Sequence, residues 1–127
     1  MELKEFEEIK NRRYSPKETL AYLIISVKKA KTKSMQNFVT ILKEEIIKDI
    51  NKSYYMDKIQ RELLEKIINY WSLSIEQVIA YGYIVFNNIA FEEKPLTEDK
   101  IADVFAYTMR LYSPDNAEEF VKNKFLK

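Results

Sequence analysis

The sequence predicts an all-α protein, a compact single-domain bundle of about six to seven helices around a buried central helix. Apolar residues recur at spacings of three and four along almost the whole chain, which is the period of an amphipathic helix. Glycine occurs once and proline three times in 127 residues, too rarely for the tight turns of an all-β protein. No stretch of useful length alternates apolar and polar residues as a half-buried strand does.

Seven helical segments follow from this period, at residues 2–10, 16–31, 34–50, 54–71, 75–90, 98–112 and 114–125. Six of them carry an apolar stripe on one face, wide enough to pack against a core. In chain order these stripes are Leu3, Phe6, Ile9; Leu20, Leu23, Ile24, Val27; Met35, Phe38, Val39, Leu42, Ile46, Ile50; Met56, Ile59, Leu63, Leu64, Ile67, Ile68, Trp71; Ile101, Val104, Phe105, Met109; and Ala117, Phe120, Val121, Phe125. A chain of this length can bury one such core, so we expect a single domain over residues 1–127.

The segment 75–90 differs from the others because it is apolar on nearly every side, which predicts a helix surrounded by its neighbours. It is too short and too polar for a membrane span, which needs about 20 apolar residues. Gly82 interrupts it, although glycine weakens a helix interior by about 1 kcal/mol relative to alanine. We expect a neighbouring helix to approach closely at Gly82; the alternative is a site where a ligand approaches the backbone.

A short repeat marks two helix starts, because Arg-x-Tyr-Ser-Pro occurs at residues 12–16 and again at 110–114. Proline is favoured at the first helical position, where its missing N–H would have no partner, and a preceding serine can cap the helix. The tyrosine ahead of each serine is placed to pack as a hydrophobic staple. A Ser-Pro phosphorylation or docking site is the alternative, and capping fits the repeat better. The predicted caps are Ser15, Ser74, Thr97 and Ser113, with Glu18 and Gln77 completing capping boxes.

Composition argues against most catalytic and metal-binding classes. The chain has no histidine and no cysteine, so it lacks the commonest general base at neutral pH and the thiolate nucleophile. A single glycine cannot build a glycine-rich phosphate loop. Asp99 and Asp103, one helical turn apart and beside Glu98, have the chemistry to hold Mg²⁺, but the helix dipole equally favours carboxylates at a helix start. We therefore predict a non-enzymatic protein with no cofactor, no metal and no small-molecule substrate.

Charge is segregated along the chain, although the net charge is only +1. Residues 12–52 hold ten basic and four acidic residues, whereas residues 91–119 hold three basic and eight acidic ones. The run KKAKTK places Lys28, Lys29, Lys31 and Lys33 at the end of the helix predicted over 16–31. Cations there offset the helix dipole, which is one explanation. The other is a phosphate-binding patch that gives affinity for nucleic acid without sequence specificity.

A second basic group lies in the helix predicted over 54–71, where Tyr54, Lys58 and Arg61 share a face away from the apolar stripe. An outward tyrosine flanked by cations can stack a base while the cations bind phosphate. The alternative is that Tyr54 folds back onto the core and leaves a solvated basic face. The sequence leaves both interpretations open.

Two functions from different classes follow from this layout. In the first, the chain is a small helical subunit that binds nucleic acid or acts within a nucleoprotein assembly. In the second, it is a protein-binding inhibitor or adaptor, such as an immunity or virus-encoded factor, that uses the acidic carboxy-terminal third. The candidate residues of that second surface are Asp99, Asp103, Glu118 and Glu119.

The expected location is the cytoplasm, with no membrane partner. The first ten residues alternate in charge and lack the apolar core of a secretory signal. The absence of cysteine fits a reducing compartment. Scarce glycine and absent cysteine would suit a thermophile or its virus.

Overall fold

The computed structural model describes residues 11–30, 34–49, 52–58, 61–90 and 96–126. Within these ranges the chain forms α-helices and no β-strand, packed compactly, which confirms the predicted all-α bundle. The helix predicted over residues 2–10 lies outside the described residues. The helices are α1 (Pro16–Lys29), α2 (Met35–Lys48), α3 (Lys52–Lys58), α4 (Arg61–Lys66), α5 (Ile75–Ile89), α6 (Glu98–Leu111) and α7 (Pro114–Lys124).

Helix α5 is the centre of the bundle, as its all-round apolar sequence predicts. It packs against α2, α6 and α7, and less extensively against α1. Val78, Tyr81, Val85 and Ile89 are fully buried along it and join the side chains of the neighbouring helices in one core. Most of its residues are therefore buried, whereas the face that carries Glu76, Ile79 and Tyr83 stays partly open to solvent.

Gly82 lies where α2 approaches α5. A β-carbon built at Gly82 would stand 2.5 Å from Cδ2 of Leu42, and 3.6 Å from atoms of Leu23 and Phe38. The first distance is far below the optimal separation of about 3.5–4.0 Å between carbon atoms. The space beside Gly82 is thus filled by side chains of α1 and α2, which confirms close packing as the reason for this glycine.

Two helices begin with the predicted capping boxes. In α1 the Ser15 hydroxyl accepts a hydrogen bond from the Glu18 N–H at 3.1 Å, and the Glu18 carboxylate accepts one from the Ser15 N–H at 3.2 Å. Ser74 and Gln77 make the same reciprocal pair at the start of α5. Each box satisfies two backbone donors that have no partner inside the helix.

The remaining caps refine the predicted boundaries. Thr97 and Ser113 cap α6 and α7 as expected. Ser34, predicted as the first helical residue, instead caps α2. The predicted end of this helix is Ile50, but α2 ends at Lys48, because Asp49 adopts a left-handed conformation with a φ of 52°.

The Tyr-Ser-Pro repeat serves the same structural purpose in both copies. Tyr14 contacts the ring of Tyr22, with ring centroids 6.2 Å apart. Tyr112 contacts Phe120, also eight residues further on, at 4.9 Å. The tyrosine thus ties the chain entering each helix to the second turn of that helix, while the serine caps the first turn.

The helix predicted over residues 54–71 is wrong in its extent. Helix α3 already begins at Lys52, and α4 ends at Lys66, before the predicted end at Trp71. Further on, the backbone of Leu73 pairs with that of Tyr14 through two N–H···O bonds of 2.8 Å. Arg13 supports this pairing by donating to the side chain and the carbonyl of Ser72 at 3.0 and 2.7 Å. Apolar residues keep a helical spacing beyond the end of α4 because Ile67, Ile68 and Trp71 still pack on the core.

Candidate functional site

Two of the four predicted phosphate-binding lysines are ion-paired within the chain. Lys28 Nζ lies 2.9 Å from Glu98 Oε1 of α6, and Lys29 Nζ contacts the Glu45 carboxylate of α2. Both lysine side chains remain nearly half exposed, so a phosphate would compete with these carboxylates for them. Lys31 and Lys33 lie outside the described residues.

Of the second basic group, the structure describes the side chain of Tyr54 only. Tyr54 is 56% exposed on α3, so it does not fold back onto the core. Lys58 is the last residue of α3 and Arg61 the first of α4, and the side chains of both lie outside the described part of the structure. The outward position of Tyr54 fits a stacking role, and the site formed with Lys58 and Arg61 stays a prediction.

The four acidic residues of the predicted protein-binding surface lie on two helices. Asp99 and Asp103 are exposed on α6, while Glu118 and Glu119 lie on α7. Asp103 accepts a hydrogen bond from Lys66 Nζ at 2.7 Å, and Glu118 pairs with the lysine one turn later on α7 at 3.1 Å. Across the described ranges, no three acidic side chains are grouped closely enough to hold a metal ion.

The fold mixes the charges that the sequence separates. Lys28 belongs to the basic segment 12–52 and Glu98 to the acidic segment 91–119, yet the two side chains meet because α1 packs against α6. Such an exposed pair adds only about 0–1 kcal/mol of stability. Its larger effect is on the surface potential, since each charge is partly compensated by its neighbour.

A partly buried group of polar side chains, which sequence reasoning missed, joins the start of α1 to the end of α2 and the start of α3. This ionic cluster consists of Arg12, Glu18, Tyr22, Asp49 and Lys52. Lys52 Nζ lies 3.0 Å from Glu18 Oε2 and 3.2 Å from Asp49 Oδ1. Arg12 reaches the same two carboxylates at 3.2 and 3.3 Å, and the Tyr22 hydroxyl donates to Asp49.

The two carboxylates of the ionic cluster are ionised at neutral pH. Burial by itself would raise the pKa of Glu18, but hydrogen bonds from Lys52 and the Ser15 N–H outweigh it, so the pKa is lowered. The pKa of Asp49 is lowered in the same way, against burial, by hydrogen bonds from Tyr22, Lys52 and Arg12. Burial and the bond to Asp49 raise the pKa of Tyr22 well above its usual range. These three side chains therefore keep one protonation state around pH 7.

One candidate binding site is an apolar groove between α5 and α7, with a volume of about 250 Å³. Leu126 at its edge is 57% exposed, and Ile79 and Tyr83 are half-buried, so apolar side chains are open to solvent there. Sequence reasoning missed the groove because its residues fit the helical core pattern. The walls are Ile75, Ile79, Ala80, Tyr83, Val121 and Leu126, and the rim is Lys43, Glu76, Glu118 and Lys122.

Comparison with known proteins gives no relative from which a role could be transferred. No protein-family model, no curated protein and no solved structure matches the chain. None of the helices in the described ranges combines the length and the hydropathy of a membrane span.

Proposed function

We propose that this chain is a cytoplasmic, non-enzymatic adaptor that binds an amphipathic helix of a partner protein in the apolar groove between α5 and α7. The observation that carries the proposal is the groove itself, where Leu126 is exposed and Ile79 and Tyr83 are half-buried inside a charged rim. Laying the apolar face of a helix into a hydrophobic groove is a recurrent mode of peptide recognition.

The dimensions of the groove favour protein side chains over a small molecule. Its volume of about 250 Å³ is below the range of about 300–1,000 Å³ that is usual for small-molecule sites. The walls also carry few polar groups with which to orient a cofactor. Side chains at positions i, i+3 or i+4 and i+7 of a helix would fill such a groove without that requirement.

The rim sets the charge pattern of the partner. Glu118 and Lys122 pair with each other at 3.1 Å, so this side of the rim is locally neutral. Lys43 and Glu76 are exposed on α2 and α5 and line the same groove. A partner helix with one acidic and one basic flank would complement these two charges, which fixes its direction in the groove.

Only one of the four predicted acidic residues lines the groove. Among the four acidic candidates, Glu118 lines the groove, whereas Asp99 and Asp103 belong to α6 and Glu119 is exposed on α7 outside the lining. The apolar walls, and not the acidic residues alone, are therefore proposed as the main source of affinity, with charge setting orientation and association rate.

The test is selection of helical peptides from a displayed random library on the purified chain. We expect selected peptides to share apolar residues at i, i+3 or i+4 and i+7, and to shift the amide NMR signals of Ile79, Tyr83 and Leu126. Leu126→Glu should weaken their binding by about 10-fold or more, because it puts a charge into an apolar contact.

Leu111→Glu is the matched control, since Leu111 is also 57% exposed but lies on α6, outside the groove. It should leave peptide binding unchanged. Selected peptides that bind the Leu126→Glu and wild-type chains equally, or that shift signals only on other helices, would refute the groove as the docking site.

A further inference from the structure

A second cavity, the aromatic cleft, lies between the carboxy-terminal half of α5, α6 and the end of α7, with a volume of about 220 Å³. It is separate from the apolar groove: Tyr83 of the groove and Phe125 of the cleft stack between them, with ring centroids 5.4 Å apart. The chemistry of its lining also differs, because aromatic rings alternate there with amide and ammonium groups. The lining residues used below are Asn87, Asn88, Tyr107, Phe120, Lys124 and Phe125.

The aromatic side chains on one side of the cleft pack against one another. Phe120 contacts Tyr112 at 4.9 Å and Phe125 at 6.4 Å between ring centroids, so these rings support one another. Tyr107 stands at the opening and is 59% exposed, although burying its ring would be favourable. Faces of this kind stack nucleic-acid bases with little dependence on sequence, because every base has a π-face.

Polar groups in the cleft match the other parts of a nucleotide. Asn88 donates its amide N–H to the Ile84 carbonyl at 3.0 Å, which orients its side-chain oxygen as an acceptor for an N–H group of a base, such as N3–H of thymine. Asn87 lines the cleft one residue before it. Lys124 Nζ lies over the rings of Phe120 and Phe125, 5.4 and 5.6 Å from their centroids, and the residue is exposed, so this ammonium group is accessible to a phosphate.

A second depression adjoins the cleft and shares Asn88 and Tyr107 with it. Tyr107 therefore lines two neighbouring hollows, of about 220 and 360 Å³. Asp103 lines the second hollow, but Lys66 compensates its charge at 2.7 Å, so it presents little repulsion to a phosphodiester. The arrangement is that of a stacking residue between two successive bases.

We propose that the aromatic cleft binds a short segment of single-stranded nucleic acid, with bases on either side of Tyr107 and a phosphate at Lys124. The inference does not rest on the proposed protein partner, since the two cavities have different linings. Duplex is a poor ligand for such a site, because its bases are already stacked and their faces are closed. Stacking supplies most of the affinity, and few phosphates are neutralised.

The test measures fluorescence anisotropy of a labelled oligothymidylate of about 15 nucleotides, near the upper end of the length covered by one single-strand-binding domain. Tyr107→Ala should weaken binding by about 5- to 150-fold, the usual loss of one stacked base, whereas Tyr107→Phe should retain it. The slope of log affinity against log salt should be shallow, about −0.7 for each of one or two phosphates.

An exposed tyrosine elsewhere provides the matched control. Tyr70, 86% exposed after α4, lies outside the cleft, and its replacement by alanine should leave binding unchanged. The groove variant Leu126→Glu should also bind normally, which separates this proposal from the protein-binding one. The proposed role of the cleft is refuted if the chain fails to bind the oligonucleotide at low salt, or binds a duplex equally well. It is also refuted if Tyr54→Ala or Lys28→Glu with Lys29→Glu removes binding while Tyr107→Ala does not.

Discussion

Gly82 and Asp49 occupy positions that few other residue types tolerate, for different reasons. At Gly82 the restriction is space, because Leu42 of α2 stands where a β-carbon would be. At Asp49 it is backbone conformation, since a φ of 52° is left-handed and favours glycine, asparagine or aspartate. Asp49 combines that tolerance with a carboxylate that reaches Arg12 and Lys52. Gly82 thus allows α2 to pack closely on α5, and Asp49 connects the end of α2 to Arg12 and to α3.

Replacing Gly82 by leucine should lower the free energy of unfolding by about 1–3 kcal/mol, because the added side chain overpacks the contact with α2. Gly82→Ala should be much milder, since better helix propensity, about 1 kcal/mol, offsets the displacement of one Leu42 methyl group. Urea unfolding followed by circular dichroism measures both. The double variant Gly82→Leu with Leu42→Ala should lose less than the sum of the single changes. A stability equal to wild type for Gly82→Leu would contradict the packing found here.

Helix starts in this chain differ in how completely they are capped. Ser15 and Glu18 form a reciprocal box, with the serine hydroxyl 3.1 Å from its backbone donor. Ser113 receives a longer bond, 3.4 Å, from the Asn116 N–H, and no return bond from the Asn116 side chain completes it. Two occurrences of the same Tyr-Ser-Pro sequence therefore contribute differently to the stability of the helices they begin.

Ser15→Ala should lower the free energy of unfolding by about 1 kcal/mol, the usual loss for an N-cap serine. Ser113→Ala should have a smaller effect, because its bond is longer and exposed to water. Thermal and urea unfolding of the two variants, compared with wild type, provide the measurement. Equal losses would show that the capping box adds nothing to the single cap, and an unchanged stability for Ser15→Ala would argue against a capping role for that serine.

The ionic cluster joins the start of α1 to the adjoining ends of α2 and α3. Glu18 lies in the first turn of α1, Asp49 directly follows α2, and Lys52 begins α3. Glu18 and Lys52 are mostly buried, with exposed side-chain fractions of 19% and 13%. Removing one member of such a network leaves its partners incompletely paired.

Acid should destabilise the protein through this cluster. The pKa values of Glu18 and Asp49 are lower in the folded chain than in the unfolded one, so their contribution to stability is complete above about pH 5. It is lost as the pH falls through the lowered folded values, because the unfolded chain binds protons first. Unfolding free energies measured in urea from about pH 7 down to about pH 3 should show this decline.

Glu18→Gln isolates the role of the charge, because glutamine keeps a capping box, as Gln77 does in α5. We expect a loss of about 1–3 kcal/mol at neutral pH, typical of a hydrogen bond to a charged group, and a shallower pH dependence. Glu119→Gln, at an exposed position on α7, is the control and should stay within about 0.5 kcal/mol of wild type. If the unfolding free energies of wild type and Glu18→Gln fell equally with pH, Glu18 would not contribute to the loss of stability in acid.

The two proposed binding surfaces both use α5, whose residues 75–83 line the apolar groove and whose residues 84–88 line the aromatic cleft. A helix buried in the core is a rigid support, because its neighbours hold it from several sides. A chain that binds a partner helix at one end of α5 and a nucleic-acid strand at the other would be suited to a subunit of a nucleoprotein assembly.

The sequence by itself determined the all-α class, the central helix, the caps and the packing role of Gly82. These features depend on local periodicity, on residues three or four positions apart, or on a residue type with one dominant structural use. The sequence also showed that basic and acidic residues are concentrated in different stretches of the chain, but not which surfaces they form.

Only the tertiary structure decided which distant residues meet. The pairing of Tyr14 with Leu73, the contact of Lys28 with Glu98 and the assembly of the ionic cluster all join residues from separate elements. The apolar groove and the aromatic cleft are likewise formed by three helices or more, whose residues each fit an ordinary amphipathic pattern in the sequence. Periodicity shows which face of a helix is apolar. Helix packing determines whether that face is covered, because coverage depends on the lengths, angles and ends of the neighbouring helices.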